Sequence, residues 1–319
     1  MSEYVTWLDS PEGAVPERVG GKAASLARLG AAGFPVPPGF AITVDAYRRF
    51  HDGARLAELL DPLFAIEGRP TIAQLREACA PLLERLRDNE LPAEIRAEVC
   101  DAYRALEGRT GPDATFAVRS SGVSEDGANA SFAGLYESYL NLRGEEAVLA
   151  AVEQCYHCLW EPRAAHYRAI KGIDHRKEAM GVVVMQTVPS TVSGVAFSLN
   201  PVTGATDEVI INAAWGLGES IVSGLVTPDN YVARKDGAIA AMDISEKLVQ
   251  VVAVPGGTER REASRDEALR PALSDDQIAQ VARTVAEVEA HYGCPIDVEF
   301  AYDGEGRFYL LQARPITTH

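Results

Sequence analysis

The stretch from Asp297 to Pro315 constrains most what this chain can fold into. Two runs of alternating apolar residues flank Asp303-Gly-Glu-Gly306, so the segment spells a β-hairpin closed by a glycine-containing turn. Val298, Phe300, Phe308, Leu310 and Leu311 supply the apolar faces. Alternation puts Asp297 and Glu299 on one face of the first strand, and Gln312 and Arg314 together on one face of the second. Two acids, an amide and a guanidinium can therefore converge between apolar rows. Carboxylates hold Mg²⁺ and a guanidinium matches phosphate oxygens, so the pattern suggests a nucleoside triphosphate with its metal. The same residues also suit a solvated hairpin face carrying an ion pair.

A chain of 319 residues exceeds one compact core, which predicts two lobes, 1–190 and 191–319. The net charge of −16 argues against general nucleic-acid binding, which needs a basic face. It does not exclude ATP, because a local Lys/Arg cluster can sit inside an acidic shell. No apolar run approaches ~18 residues, so no membrane span is expected. The N-terminus lacks a charged segment followed by an apolar one, so secretion is not expected. Five scattered cysteines fit a reducing cytoplasm. Cys155-Tyr-His-Cys158 has no second cysteine pair and lies in an apparent helix from about 145 to 160. It reads as a structural helix face rather than a metal or redox site.

Elsewhere the pattern is mixed α/β. Helices are expected over 20–33, 44–51, 72–87 and 92–106, and Ser274 with Gln277 forms a capping box that opens the last long helix. Strands are expected at 40–43, 115–119, 136–142, 208–212, 230–234 and 248–254. The segments 179–188 and 193–198 read as a hairpin across Pro189-Ser-Thr. Residues 120–133, rich in Ser, Gly, Asp and Asn, read as a mobile loop, and the charged segment 259–270 as a surface loop.

Two further stretches carry chemistry. In Val19-Gly-Gly-Lys-Ala-Ala-Ser25, two glycines allow close backbone approach before a helix begins. The helix start then offers free N–H groups, and Lys22 adds positive charge, which together make a phosphate cradle. The P-loop spacing is absent, and an exposed Lys at a helix start fits the residues equally. In Phe116-Ala-Val-Arg-Ser-Ser-Gly122 and its continuation to Gly134, a buried strand delivers Arg119 to its end and a small-residue loop follows. Such a loop can bring backbone N–H groups to phosphates or close as a lid, and it can also be an ordinary turn.

The ordered set of short motifs resembles the ATP-binding domain of the phosphoenolpyruvate synthase / pyruvate phosphate dikinase family. That family includes rifampin phosphotransferases and phenylphosphate synthases. The matching segments are Gly20-Gly-Lys-Ala-Ala-Ser-Leu26, Gly33-Phe-Pro-Val-Pro-Pro-Gly-Phe40, Ala117-Val-Arg-Ser-Ser-Gly122, Ser131-Phe-Ala-Gly134, Gly194-Val-Ala-Phe-Ser198, Gly216-Leu-Gly-Glu219 and Leu311-Gln-Ala-Arg-Pro315. They run from about residue 15 to residue 316.

The resemblance implies an ATP-grasp-like α/β (α+β) fold with ATP held between two lobes. The N-terminal one would carry the phosphate-binding Lys and the Ser/Gly-rich loop, and the C-terminal one the metal and triphosphate hairpin. It implies that Lys22 and Arg119 contact the phosphates, that Gly134 and Ser138 line the nucleotide, and that Gln186 lies near the adenine. Asp297 and Glu299 would hold Mg²⁺, and Gln312 and Arg314 would complete the triphosphate site. Lys22, Arg119 and Arg314 would do the catalytic work. Glu219 is a further candidate whose loop could instead be structural.

Family enzymes pass a phosphoryl group through a histidine on a swivelling domain that carries a Thr-Cys-His or Thr-Ser-His type motif. None of the six histidines (His51, His157, His166, His175, His291 and His319) has that context. The expected activity is therefore that of half an enzyme. It would bind Mg-ATP, pass the β-phosphoryl group to a histidine on a partner domain or subunit, and rely on another domain for the final acceptor. The origin could be a separate subunit or the excised ATP-binding domain of a longer protein such as a rifampin phosphotransferase. A stand-alone ATP-grasp kinase or ligase acting on a small acceptor, and a nucleotide-sensing module without chemistry, are the competing readings.

Overall fold

The computed structural model describes residues 3–66, 68–125, 135–254 and 256–316. Gly134, the Ser131-Phe-Ala-Gly134 motif and most of the expected loop at 120–133 lie outside them. The chain divides into two compact units: residues 1–28 with 38–187, and residues 29–37 with 188–319. No helix among the described residues is long and apolar enough to cross a membrane.

Unit 1 is built on a five-stranded antiparallel sheet of order β1 (Val5–Trp7), β2 (Gly39–Ile42), β5 (Met180–Gln186), β3 (Phe116–Gly122) and β4 (Ser138–Leu142). β5 lies at its centre and reads Met-Gly-Val-Val-Val-Met-Gln, with all but the last residue buried. A strand buried on both faces has no need of polar alternation. The core on one face gathers Phe40, Ile42, Phe116, Val118, Val182 and Val184 with the helices Val44–Gly53, Ala93–Thr110 and Glu145–Cys158. On the last of these, Cys155 and Cys158 are buried, and the Cys158 thiol donates to the Cys155 carbonyl at 3.0 Å. Burial pushes both thiols up, Cys158 to about 12, so they pack as apolar groups.

Unit 2 carries a six-stranded antiparallel sheet of order β13 (Phe308–Pro315), β12 (Ile296–Asp303), β6 (Ser190–Phe197), β7 (Glu208–Trp215), β8 (Asp229–Arg234) and β9 (Ile239–Asp243). A ribbon of β10 (Val249–Val254) and β11 (Gly257–Glu262) stands beside it. One face is covered by the helix Asp275–Tyr292, whose buried Ile278, Val281, Ala282, Val285 and Val288 recur at helical spacing. Ser274 Oγ accepts the Gln277 N–H at 3.3 Å and Gln277 Oε1 accepts the Ser274 N–H at 2.9 Å, so the expected capping box is present. Pro35, from the short segment 29–37, accepts the Leu310 N–H of β13 at 2.8 Å.

Three expectations need correction. β5 and β6 are not a hairpin, because they belong to different sheets. The segment 259–270 is not simply a loop. It contains the last four residues of β11, and then the short helix Arg265–Ala268, opened by a Ser264–Glu267 capping box. The six-residue pairing of β11 with β10 outweighs the charge of its exposed side chains. Ser120, Ser121 and Gly122 are not loop either. They continue β3 against β5, with Ser120 and Ser121 fully buried.

Candidate functional site

Of the unit 1 candidates, Lys22, Arg119 and Ser138 lie along the later part of β3. Along that strand every residue is buried except Arg119, which is half-buried. Register puts Arg119 opposite Ser138 on β4 and Val183 on β5, so Arg119 and Ser138 are neighbours on one face. Gln186 pairs with Phe116, three positions along β3 from Arg119, so the pleat directs it to the other face.

The start of the helix Gly21–Ala31 packs against the same end of β3. Gly20 has φ +80°, and a Cβ there would meet the Ser121 carbonyl oxygen at 1.8 Å. The glycine therefore lets two backbones approach each other, as the sequence suggested, but the partner is the chain itself. The Ala23 N–H donates to Ser121 Oγ at 3.1 Å, so at least one N–H expected to be open is already satisfied. Nor is Lys22 an exposed lysine. Its Nζ donates to Glu125 Oε1 at 2.5 Å and to the Ser120 carbonyl at 3.1 Å, and its side chain is 9% exposed.

Glu125 escaped the sequence reading. It lay in a stretch read as loop, and nothing local announces that its carboxylate is buried. Ser124 Oγ donates to Glu178, whose carboxyl is raised above the ordinary range, chiefly by burial. Two acids thus brace the turn that ends β3, one through Lys22 and one through Ser124.

In unit 2 the hairpin assembles as the alternation required. β12 and β13 pair Asp297 with Arg314 and Glu299 with Gln312, which brings all four polar side chains to one face. Arg314 Nε donates to both Asp297 carboxylate oxygens, at 2.8 and 2.9 Å. Gln312 is 4% exposed. A bulge between Glu299 and Phe300 leaves Leu311 as the extra residue of β13, so Phe300 and Leu310 keep the core face and Leu311 is only half-buried. The turn is held by Asp303 Oδ1, which accepts the N–H groups of Glu305 and Arg307, both at 2.9 Å. Burial, with help from the neighbouring Glu299 charge, raises the Asp297 carboxyl above its ordinary range, while Arg314 pulls it back. A buried carboxylate pushed that way gains from a nearby cation. Glu219 opens the short helix Glu219–Val222 and accepts from Thr258 Oγ1 at 3.2 Å.

Two polar clusters therefore exist, one in each unit. Lys22, Arg119 and Ser138 surround the end of β3, while Asp297, Glu299, Gln312 and Arg314 share a hairpin face. Gln186 lies on the other face of the unit 1 sheet from Arg119.

The comparisons agree with the motif reading. The family described as "Pyruvate phosphate dikinase, AMP/ATP-binding domain" matches residues 16–319. A probable phosphoenolpyruvate synthase of Methanocaldococcus jannaschii is 40% identical over 320 residues, covering 99% of this chain and 27% of that protein. A rifampicin phosphotransferase of a Streptomyces species is 39% identical over 303 residues, covering 94% of this chain and 34% of that protein. The chain spans 27% to 44% of the length of the first three curated relatives it matches. Among solved structures, D-alanyl-alanine synthetase A from Vibrio cholerae aligns over 96% of this chain and 57% of its own at TM-score 0.33 and 12% identity, too loosely to carry an argument. On the family match, which takes in nearly every residue, the chain belongs to the pyruvate phosphate dikinase AMP/ATP-binding domain family.

Proposed function

We propose that this chain is the ATP-using part of a dikinase-type phosphotransferase with an ATP-grasp-like arrangement. It binds Mg-ATP and passes the β-phosphoryl group to a histidine outside this sequence, while water takes the γ-phosphoryl group, so that AMP and phosphate are the other products. The observation that carries the reading is the hairpin face on which Asp297, Glu299, Gln312 and Arg314 meet. Its donor set fits Mg²⁺, which takes one or two carboxylates and fills its remaining positions with water and substrate phosphates. Asp297 and Glu299 would hold the ion, whose chemistry when bound is to neutralise phosphate charge.

The chain's own residues do the rest. Arg314 offers a planar fork to phosphate oxygens, with Asp297 fixing its orientation. Gln312, nearly buried, donates from a set position. In unit 1, Lys22 and Arg119 supply positive charge suited to phosphate oxygens, with Ser138 beside Arg119 and Gly134 close by in sequence. Gln186, assigned to the adenine by the family resemblance, lies on the opposite face of the unit 1 sheet from Arg119, so its register does not support that part of the reading. Phosphoryl transfer asks for placement and charge stabilisation more than for covalent help, and these groups supply both. The swivelling histidine domain and the acceptor-binding domain are the partners this reading requires. Pyruvate, a phenol and a rifamycin-like antibiotic are all acceptors that such partners could present.

The test is product analysis with β-labelled ATP and a histidine-carrying domain of this family. AMP and an acid-labile labelled phosphoprotein are expected, and Arg119→Ala or Arg314→Ala should each cost ~2–4 kcal/mol of transition-state stabilisation. Steady ADP formation without any second domain would instead favour a stand-alone kinase.

A further inference from the structure

Unit 1 buries a lysine and a glutamate against each other at the end of β3. Lys22 Nζ lies 2.5 Å from Glu125 Oε1, and the two side chains are 9% and 3% exposed. The other oxygen of the same carboxylate, Oε2, accepts the Gly122 N–H at 3.1 Å. The ammonium also donates to the Ser120 carbonyl at 3.1 Å. Ser120 and Gly122 are both residues of β3, paired with Val182 and Met180 of β5. Both acceptors of the ammonium are therefore tied to the sheet, one directly and one through the Gly122 N–H.

A lysine ammonium has three N–H donors, and among the described residues two of Lys22's are spent on these acceptors. Fixing two directions of a tetrahedral group fixes the third. A lysine stem otherwise rotates freely and its ammonium behaves as an unoriented point charge. A carboxylate close to a triphosphate would repel it, but this one is compensated beforehand by an ammonium and a main-chain N–H.

We propose that Glu125 is a positioning residue for Lys22: with the Ser120 carbonyl, it aims the third N–H of the ammonium at a phosphate oxygen of the nucleotide. The inference rests on the reading of Lys22 as a phosphate ligand given above. Glu125 itself touches no substrate. It acts only through Lys22, and that makes it testable.

The experiment is a double-mutant cycle on the full chain, with ATP affinity measured by titration calorimetry in the presence of Mg²⁺. Glu125→Gln preserves shape and removes the charge. It should weaken ATP binding by about tenfold in the native background, the scale of one charge-assisted hydrogen bond. In the Lys22→Ala background the same substitution should change affinity by less than about twofold. A merely structural role would persist there, so an equal loss in both backgrounds overturns the inference, as does unchanged or tighter binding in Glu125→Gln alone. Lys22→Ala with full ATP affinity would remove the reading of Lys22 and this inference with it. A loss in Lys22→Ala without one in Glu125→Gln would sink only the inference. If circular dichroism shows that Glu125→Gln does not fold, Glu125→Asp is read by the same rule: it keeps the charge and shortens the reach by one methylene.

Discussion

His175 shows how much a single side chain can hide. Its Nδ1 accepts from Arg168 Nε at 3.0 Å, which requires that nitrogen to be unprotonated. Burial, together with the Arg168 charge, lowers the imidazole to about 4. An unfolded chain would hold its proton near pH 6.5. Between those values the unfolded state binds more protons than the folded one, so stability rises with pH through that window and is lost as pH falls from about 6.5 toward 4. Urea unfolding at pH 7 and pH 5 should show wild type losing more stability than His175→Gln; parallel losses would refute the assignment. From the sequence, His175 could be recognised only as lacking a phosphocarrier context. Asp297, Glu299, Gln312 and Arg314 were legible because strand alternation and one turn determine their faces. Glu125 was not, since its burial depends on Lys22, 103 positions away.

Local pattern decides an element when its partner is adjacent in sequence, and fails when the partner is remote. The helix Gly21–Ala31 was readable from the spacing of Ala23, Leu26, Ala27 and Leu29, all of them at most 1% exposed. Leu26→Ala should therefore cost roughly 2–5 kcal/mol in denaturant unfolding, as a buried leucine leaves a cavity when truncated. A loss below about 1 kcal/mol would mean that the helix repacks. By contrast, β5 and β6 looked like a hairpin because two apolar runs flanked Pro189-Ser-Thr. Proximity in sequence suggested pairing, but β5 finds β2 and β3 while β6 finds β12 and β7. β11 was missed for the opposite reason. Its Glu and Arg side chains carry no apolar alternation, and its stability comes from main-chain pairing with β10. The bulge at Glu299–Phe300 was equally invisible, because one extra residue in β13 changes register without changing composition.

At the scale of the molecule, the polar clusters are divided between two units that have separate apolar cores. Chain length predicted two lobes, but nothing within 29–37 announces that Pro35 accepts from Leu310, some 275 positions later. Each cluster carries residues assigned above to Mg-ATP, so each is tested by its own effect on nucleotide-linked stability. A ligand that binds only the folded state at 100 times its Kd adds about 2.7 kcal/mol to stability. Mg-ATP at that excess should raise the unfolding midpoint accordingly, and EDTA should remove most of the gain by leaving the triphosphate charge uncompensated. Lys22→Ala in unit 1 and Arg314→Ala in unit 2 should each reduce the shift at a fixed nucleotide concentration. Dependence on only one of the two would assign the nucleotide to that unit alone. The other cluster would then be a structural ion pair, as Lys22–Glu125 and Asp297–Arg314 could each be in isolation. The pair of variants therefore tests each cluster's part in nucleotide binding separately.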